Sequence, residues 1–179
     1  MITDLFELAR LDSNAIKPQL DEFSLAELVA DITQEFRLAA ERKSVSLVVE
    51  MHGQNSAVTA DIRLIERVFE NLIENGLRHT PEHGRVTISL DGYDAGVRVT
   101  VSDTGAGITE EALPRIFDRY FHAPAASPSG PESTGLGLAI VKRILDLHRT
   151  AIVVSSRLAQ GTSFSFELSR HAAADGGRY

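Results

Sequence analysis

Three polar residues with helical spacing could bind a phosphate-bearing ligand. Asn71, Asn75 and Arg78 stand at positions i, i+4 and i+7, so a helix would carry them on one face. An isolated asparagine would more simply bond a neighbouring backbone group, but two amides and a cation on one stripe are costly to bury in an ordinary core. Amide oxygens suit Mg²⁺, which also binds substrate phosphates, and a guanidinium pairs with phosphate oxygens. The stripe therefore predicts a site for Mg²⁺ and a nucleotide.

Two glycine-rich turns are the other candidate ligand contacts. Asp103-Thr-Gly-Ala-Gly107 follows a predicted strand, and Thr134-Gly-Leu-Gly-Leu138 precedes a predicted helix. Glycine lets backbone N–H groups approach a ligand, and a helix N-terminus favours an anion. Neither turn fits the dinucleotide pattern, because Glu110 and Ile140 replace its third glycine, and neither is a P-loop. Each alone could also be a simple turn or a packing contact, so the signal lies in their combination with the helix stripe.

The elements that must position these residues are predicted from hydrophobic periodicity. A capping box at Ser24-Leu-Ala-Glu27 opens an amphipathic helix, and Asp61 caps a second helix that ends at Thr80-Pro81. Helices with mainly antiparallel strands predict an α+β fold, a two-layer α/β sandwich. The other predicted elements are helices within 1–14 and at 136–147, a hairpin of strands 86–90 and 97–101, and strands at 45–49, 57–60, 151–155 and 163–168.

Composition limits the class of protein. The 179 residues contain no cysteine, which excludes disulfides, thiolate zinc sites and a cysteine nucleophile. The 18 Lys and Arg residues are scattered among 25 acidic ones, for a formal net charge of −7, so no nucleic-acid partner is expected. No apolar run is long enough to span a bilayer, and no secretory signal is visible. We therefore expect a cytoplasmic domain, whose parent protein could be anchored in the inner membrane.

The order of these motifs resembles the catalytic ATP-binding domain of bacterial two-component sensor histidine kinases, within the Bergerat-fold ATPases. Residues 71–81 resemble the family's N box, 103–107 its first glycine box, 116–121 its F box, 133–142 its second glycine box, and 160–164 its short glycine–threonine motif. Four ordered boxes within residues 24–168 are far more specific than any single glycine pair. The resemblance implies a Bergerat fold, in which a mixed, mainly antiparallel sheet packs against helices.

The same resemblance implies a role for each matching residue. Asp103 would accept a hydrogen bond from the adenine amino group, and Asn75 would bind Mg²⁺. Asn71, Asn75 and Arg78 would form the catalytic set. The other nucleotide-binding residues that it implies are His79 near the phosphates, Gly105 and Gly107 beside the base, Gly135 and Gly137 under the triphosphate, Phe117 and Phe121 anchoring a lid over ATP, and Ile108, Thr134, Leu136, Leu138 and Thr162.

The resemblance also implies an organisation and partners. Residues 1–14 would end a dimerisation-domain helix, 15–23 would be a linker, 24–170 the ATP-binding catalytic domain with its lid at 122–134, and 171–179 a disordered tail. None of the six histidines stands in a phosphoacceptor box, so the γ-phosphoryl group of ATP would pass to a histidine on a dimerisation domain largely outside this sequence. The partners would be ATP or ADP, that domain and a response regulator receiver domain. The chain itself would be a monomer or weak dimer, and its parent a homodimer.

Two departures from the family pattern and three rival functions stay open. His122 replaces an arginine that often follows the F box, and His148-Arg-Thr150 replaces a His-Gly-Gly turn, from which local changes rather than loss of fold are expected.

An ATP-hydrolysing dimer clamp of the same fold would use a glutamate where Asn71 stands, and Glu70 and Glu74 lie nearby. The other rivals are a nucleotide-sensing interaction module without catalysis and an anti-sigma serine kinase. The F box and a Leu-Ala-Arg-Leu sequence at 8–11 disfavour the serine kinase.

Overall fold

The computed structural model describes residues 2–12, 17–53, 55–121 and 134–170, and each predicted helix is present within these ranges. The helices are α1 Ile2–Asp12, α2 Leu25–Arg42, α3 Ile62–His79 and α4 Gly137–Leu147, with a 3₁₀ turn at Leu113–Arg115. The strands are β1 Asp21–Ser24, β2 Ser46–His52, β3 Ala57–Ala60, β4 Arg85–Tyr93, β5 Gly96–Asp103, β6 Val153–Arg157 and β7 Gly161–Ser169.

A five-stranded mixed sheet forms one layer of the fold, in the order β2-β4-β5-β7-β6. β2 pairs with β4 in parallel, whereas the other three pairs are antiparallel. β1 and β3 form a separate two-stranded antiparallel sheet. This arrangement confirms the predicted α+β sandwich with its mixed, mainly antiparallel sheet.

The two faces of the sheet differ because successive side chains point to opposite faces. Along β5, Val99 and Val101 are buried, whereas Arg98 between its buried neighbours is exposed. The buried face packs on the helices, where the ring centroid of Phe69 on α3 lies 6.1 Å from that of Phe166 on β7. The core therefore lies between the sheet and the helices, and the opposite face of the sheet is polar.

Local capping signals start two helices where the sequence predicts them. Ser24 Oγ accepts the N–H of Glu27 at 3.4 Å at the start of α2. Asp61 Oδ1 accepts the N–H groups of Arg63 and Leu64, each at 3.2 Å, at the start of α3. Both contacts satisfy helical N–H groups that have no partner within the helix. α3 then buries its apolar face and presents its polar stripe on the other side.

Besides the longer β2, β4, β5 and β7, two strands and one turn differ from what the sequence predicts. β1 is not predicted, because its Asp-Glu-Phe-Ser sequence has only one apolar residue. It forms by pairing with β3. This strand occupies the end of the predicted linker at 15–23. β6 begins at Val153 rather than at residue 151, and this edge strand has a weak pattern because no residue in it is fully buried. After α4, Arg149 takes a φ of 57° and closes the turn without glycine, so this departure leaves the fold intact.

α1 packs on α4 and reaches α3. Leu8 and Leu11 are only 2% and 1% exposed. Arg143 Nε on α4 donates to the Leu11 carbonyl oxygen at 3.0 Å, and Arg67 Nε on α3 donates to Glu7 Oε2 at 3.0 Å. The assignment of residues 1–14 to a neighbouring domain stays a prediction.

Some of the sequence predictions concern segments beyond these ranges. Residues 122–133 of the predicted lid and the predicted tail at 171–179 lie outside the described residues. Within the described part of the chain, no helix combines the length and the hydropathy that a membrane-crossing segment needs.

Candidate functional site

The polar stripe on α3 faces the start of α4. Asn71 Nδ2 donates to the Arg67 carbonyl oxygen at 2.7 Å, which fixes the orientation of the amide. The Asn71 Oδ1 atom faces Gly137, where a Cβ atom would lie 2.7 Å away. This distance is too short for a side chain, so glycine at 137 permits the close approach of the two helices. The predicted N box and second glycine box therefore meet at this contact.

Asn75 and Arg78 lie further along the same stripe. Asn75 is partly buried, and its amide has no hydrogen bond within the described ranges. Arg78 donates to Glu74 Oε1 at 2.8 Å, and the two side chains are 28% and 60% exposed. An ion pair with so exposed a carboxylate contributes little stability. Arg78 can therefore exchange Glu74 for an anionic ligand at small cost.

Lys43, which is not predicted from the sequence, holds the C-terminal end of α3. Its Nζ atom donates to the carbonyl oxygens of Leu77 at 2.7 Å and Arg78 at 3.1 Å. A cation here also opposes the negative end of the helix dipole. The next residue, His79, is solvent-exposed, but its pKa is lowered, first by desolvation and then by the charges of Arg78 and Lys43. This shift favours the neutral form of the His79 imidazole.

Asp103 ends β5; the residue is 9% exposed, and one of its carboxylate oxygens accepts two hydrogen bonds. Its Oδ1 atom accepts the N–H groups of Gly105 at 2.8 Å and Thr162 at 3.3 Å. Burial raises the pKa of the carboxyl, and these two bonds lower it in part. The other carboxylate oxygen, Oδ2, makes no hydrogen bond within the described residues. Every fully buried side-chain oxygen of those residues has a hydrogen-bond partner, so Oδ2 is not fully buried and a ligand can reach it. This oxygen can accept a hydrogen bond from a ligand.

Asp103, Thr162 and Ser156 form a row across three adjacent strands. The register pairs Asp103 of β5 with Thr162 of β7, and Thr162 with Ser156 of β6. Ser156 Oγ donates to the Gly161 carbonyl oxygen at 2.9 Å, lies 2.9 Å from Thr162 Oγ1, and accepts the Ile108 N–H at 2.8 Å. Ser156 is not predicted from the sequence, because only the strand register distinguishes it from the serines beside it.

Glycines bring the backbone close to Asp103. A Cβ atom at Gly105 would lie 2.5 Å from the His79 carbonyl oxygen, so the first glycine box packs directly on the end of α3. Gly107 and Gly161 have φ values of 73° and 92°, which L-residues rarely adopt. A Cβ atom at Gly161 would also collide with the Asp103 carbonyl oxygen. Glycine is therefore required at position 161 to keep Asp103 in place.

The second glycine box forms the N-terminal end of α4. Gly135 has a φ of 64°, and Thr134 Oγ1 accepts the Leu136 N–H at 3.4 Å. Leu136 makes no side-chain capping bond, so no side chain in the described residues caps the first turn of α4. Such a helix end has N–H donors and positive charge for an anion. The side chains of Leu136 and Leu138 pack in or against the core, so these residues can meet a phosphate only through their backbone.

The predicted F box is joined to the second glycine box. The Tyr120 N–H donates to the Gly135 carbonyl oxygen at 2.9 Å, which holds the two ends of the predicted lid together. Phe117 packs edge-on against Phe164 of β7, with ring centroids 6.5 Å apart. The ring of Phe121 has an arginine guanidinium 4.7 Å from its centroid. Both phenylalanines also pack against the hydrophobic core, which fixes the residues just before position 122.

His148 lies far from these groups and links α4 to α3. Its Nε2 atom accepts the Asp61 N–H at 3.0 Å, and its Nδ1 atom lies 2.8 Å from the Ile144 carbonyl oxygen, so Nδ1 carries the proton. Burial lowers the pKa of the ring, against smaller raising effects of Ile144 and Asp61. His148 is therefore structural. His122, the other departure from the family pattern, lies outside the described residues.

The described residues gather the predicted boxes around α3. Its C-terminal end contacts the first glycine box at Gly105, and Asn71 contacts the second at Gly137. A Cβ atom on Gly76, between these two contacts, would lie 3.8 Å from the Asp103 Cβ atom. One side of the site therefore offers a buried carboxylate, and the other offers an uncapped helix N-terminus, amides and a guanidinium. This combination suits a ligand with a polar base at one end and phosphates at the other.

Comparison with known proteins agrees with this geometry. Residues 60–172 match the family described as histidine kinase-, DNA gyrase B-, and HSP90-like ATPase. The sensor histidine kinase CusS of Escherichia coli O157:H7 is 34% identical over 164 residues, which are 92% of this chain and 33% of that protein. The chain thus spans about a third of the length of this curated relative.

Solved structures give the same result. Full-length ShkA in complex with AMPPNP matches with a TM-score of 0.81 and 28% identity, over 96% of this chain and 36% of that one. Histidine kinase ThkA in complex with the response regulator protein TrrA matches with a TM-score of 0.76 and 26% identity, over 96% of this chain and 48% of that one. The family match covers α3, both glycine boxes and the row of Asp103, Thr162 and Ser156. This chain therefore belongs to the histidine kinase-, DNA gyrase B-, and HSP90-like ATPases, and its relatives are sensor histidine kinases.

Proposed function

We propose that this chain binds ATP with Mg²⁺ and transfers the γ-phosphoryl group to a histidine on a separate dimerisation domain, for relay to a response regulator. The observation that carries the proposal is the contact of Asn71 with Gly137, which places an amide-bearing helix face against the N-terminus of α4, where no described side chain caps the first turn. Phosphoryl transfer needs positioning and charge neutralisation more than covalent chemistry by the protein, and this arrangement supplies both.

The adenine base would bind at Asp103. The accessible Oδ2 atom of this carboxylate is an acceptor for an exocyclic amino group, while Oδ1 is already held by two backbone N–H groups. The backbone next to it is glycine at 105 and 107, which leaves room for a flat ring. A charge-assisted bond of this kind favours a base with an N–H donor at that position.

The phosphates would bind between α3 and α4. The first-turn N–H groups of α4 and the guanidinium of Arg78 are the donors on the two sides. Asn71 would position the transferred group from the α3 side. His79, one residue beyond Arg78, would be a hydrogen-bonding neighbour of the phosphates.

The residues present fit a magnesium ion that is shared with the nucleotide. Asn75 has an amide without a hydrogen bond in the described residues, and its oxygen is a suitable hard ligand. The described residues contain no cluster of three His, Asp or Glu side chains that could hold a metal without a ligand. Mg²⁺ commonly binds in this way, through one protein group, several waters and substrate phosphates, and it would neutralise phosphate charge.

Transfer is favoured over hydrolysis by the partners of the carboxylates on α3. A hydrolase needs a general base to activate water, and the amide of Asn71 is not one. Glu70, directly beside Asn71, pairs with the part-buried Arg67 at 3.0 Å and is therefore engaged. The amide at position 71 and this ion pair disfavour the ATP-hydrolysing clamp.

Phosphotransfer to a fused acceptor tests the proposal. A two-component phosphoacceptor domain is joined ahead of residue 1, and the fusion is incubated with γ-labelled ATP and Mg²⁺. We expect acid-labile, alkali-stable label on the acceptor histidine, little free phosphate, and loss of the label in Asn75→Ala. Gln34→Ala, which removes an exposed amide on α2, is the matched control and should retain transfer. Steady phosphate release without label would favour the clamp, and ATP binding with neither product would favour the nucleotide-sensing module.

A further inference from the structure

The hydroxyl of Ser156 connects three parts of the candidate adenine site. It receives a bond from the backbone of the first glycine box at Ile108, and it contacts both the carbonyl oxygen of Gly161 and the hydroxyl of Thr162. Ser156 on β6 is the cross-strand partner of Thr162 on β7, and Thr162 is in turn the cross-strand partner of Asp103 on β5. Ser156 is thus separated from the base-binding carboxylate by Thr162.

Counting protons along this row fixes the direction of each bond. A serine hydroxyl has one proton to donate and two lone pairs that accept. The Gly161 carbonyl oxygen can only accept, so the Ser156 proton is used there. The lone pairs of Ser156 then receive the Ile108 N–H and the Thr162 hydroxyl proton. Thr162 Oγ1 is left with lone pairs only, so a ligand that reaches it would meet an acceptor.

An acceptor at Thr162 matches one class of purine. Asp103 is also an acceptor, and its backbone bond to Thr162 keeps the two residues adjacent. The amino group at position 6 of adenine carries two N–H donors, which two acceptors can receive. A 6-oxo purine has an oxygen at that position, so its lone pairs would face the lone pairs of Asp103 and Thr162 and would be repelled. The row therefore distinguishes the two bases by the direction of its hydrogen bonds.

We propose that Ser156 is a specificity-determining positioning residue, which holds the Thr162 hydroxyl as an acceptor and thereby selects 6-amino over 6-oxo purine nucleotides. It acts through Thr162 and does not itself contact the base. The proposal rests on adenine binding at Asp103 as given under the proposed function.

Calorimetric titration of the 179-residue chain with ATP and with ITP, both with Mg²⁺, tests this assignment. In Ser156→Ala the Thr162 hydroxyl becomes free to donate to the 6-oxo group. We expect the ATP-to-ITP affinity ratio to fall about three- to tenfold, the range for one hydrogen bond. Two variants serve as controls: Ser155→Ala removes the exposed neighbouring hydroxyl, and Ser156→Thr keeps a hydroxyl at position 156. Both should keep the wild-type ratio.

Equal losses of ATP and ITP affinity in Ser156→Ala, with the ratio unchanged, would show a merely structural role and overturn the proposal. If the wild type binds ATP but prefers it to ITP no more than Ser156→Ala does, the specificity role fails and the proposed function stands. If the folded wild type binds neither nucleotide, the proposed function fails as well. If circular dichroism shows Ser156→Ala unfolded, Ser156→Cys, close in volume but a weak hydrogen-bonding group, takes its place with the same expected ratio.

Discussion

Replacing Asp103 by asparagine should invert the preference of the site for hydrogen-bond donors without weakening the fold. The asparagine oxygen can keep the bonds from Gly105 and Thr162, and this puts the NH₂ group where Oδ2 stood. A donor then faces the adenine amino group, and one charge-assisted bond is lost. That bond is worth about 1.5–3 kcal/mol, so ATP affinity should fall about 10- to 150-fold. ITP, whose 6-oxygen accepts, should lose much less.

The pKa of Asp103 determines what happens to stability. Burial raises this pKa above the value in the unfolded chain, so the folded state holds its proton more tightly. The stability contribution of such a group is present at low pH and is lost as pH rises through the raised pKa. Neutral asparagine removes that loss, so the variant should melt at the same or a higher temperature than wild type at pH 7.

Calorimetry with both nucleotides and a thermal melt make up the assay. Asp94→Asn, the same chemical change in the exposed turn between β4 and β5, is the matched control and should behave as wild type. A folded Asp103→Asn protein with wild-type ATP affinity would refute the assignment of the base site. A parallel loss of ATP and ITP affinity would refute the hydrogen-bond reasoning.

Three further predictions concern the support of the site. Gly161→Ala should lower the free energy of unfolding in urea by roughly 2–4 kcal/mol, since it adds positive-φ strain and a collision with the Asp103 carbonyl; an unchanged midpoint would contradict this. Because burial lowers the pKa of His148, the unfolded chain binds its proton more tightly, so stability should fall as pH drops through about 6.5, and His148→Gln should flatten that slope in pH-dependent melts. Lys43→Met should lower stability by about 0.5–1 kcal/mol, whereas Arg37→Met on the same helix should have no measurable effect in the same urea titration.

The helices and central strands could be predicted because their signals are local. Ser24 and Asp61 cap helices where their side-chain chemistry indicates, and the alternation along β5 shows which face is buried. β1 could not be predicted, because its polar sequence becomes a strand only by pairing with β3, some 35 residues away in the chain. Long-range pairing of this kind leaves no periodicity in the sequence.

The candidate site also contains residues that the sequence predicts and residues that it does not. Asn71, Asn75 and Arg78 share a helix face, which spacing alone predicts. Ser156 and Lys43 could not be found, since a serine among serines and a lysine at a helix end are ordinary surface residues. Ser156 matters because β6, β7 and β5 are in a particular register, and Lys43 because α2 ends beside α3. Tertiary structure, rather than residue type, gives these two side chains their contacts.

The row of Asp103, Thr162 and Ser156 has a consequence for how the two ends of the site open. The base end is built on β5 and β7, which are paired on both sides within the sheet, so its amides should exchange with solvent only on global unfolding. The phosphate end is the first turn of α4, whose opening breaks no strand pairing, so it should open more readily than the base end. The base end therefore exists before any nucleotide arrives, and bound nucleotide should slow hydrogen exchange chiefly in the first turn of α4.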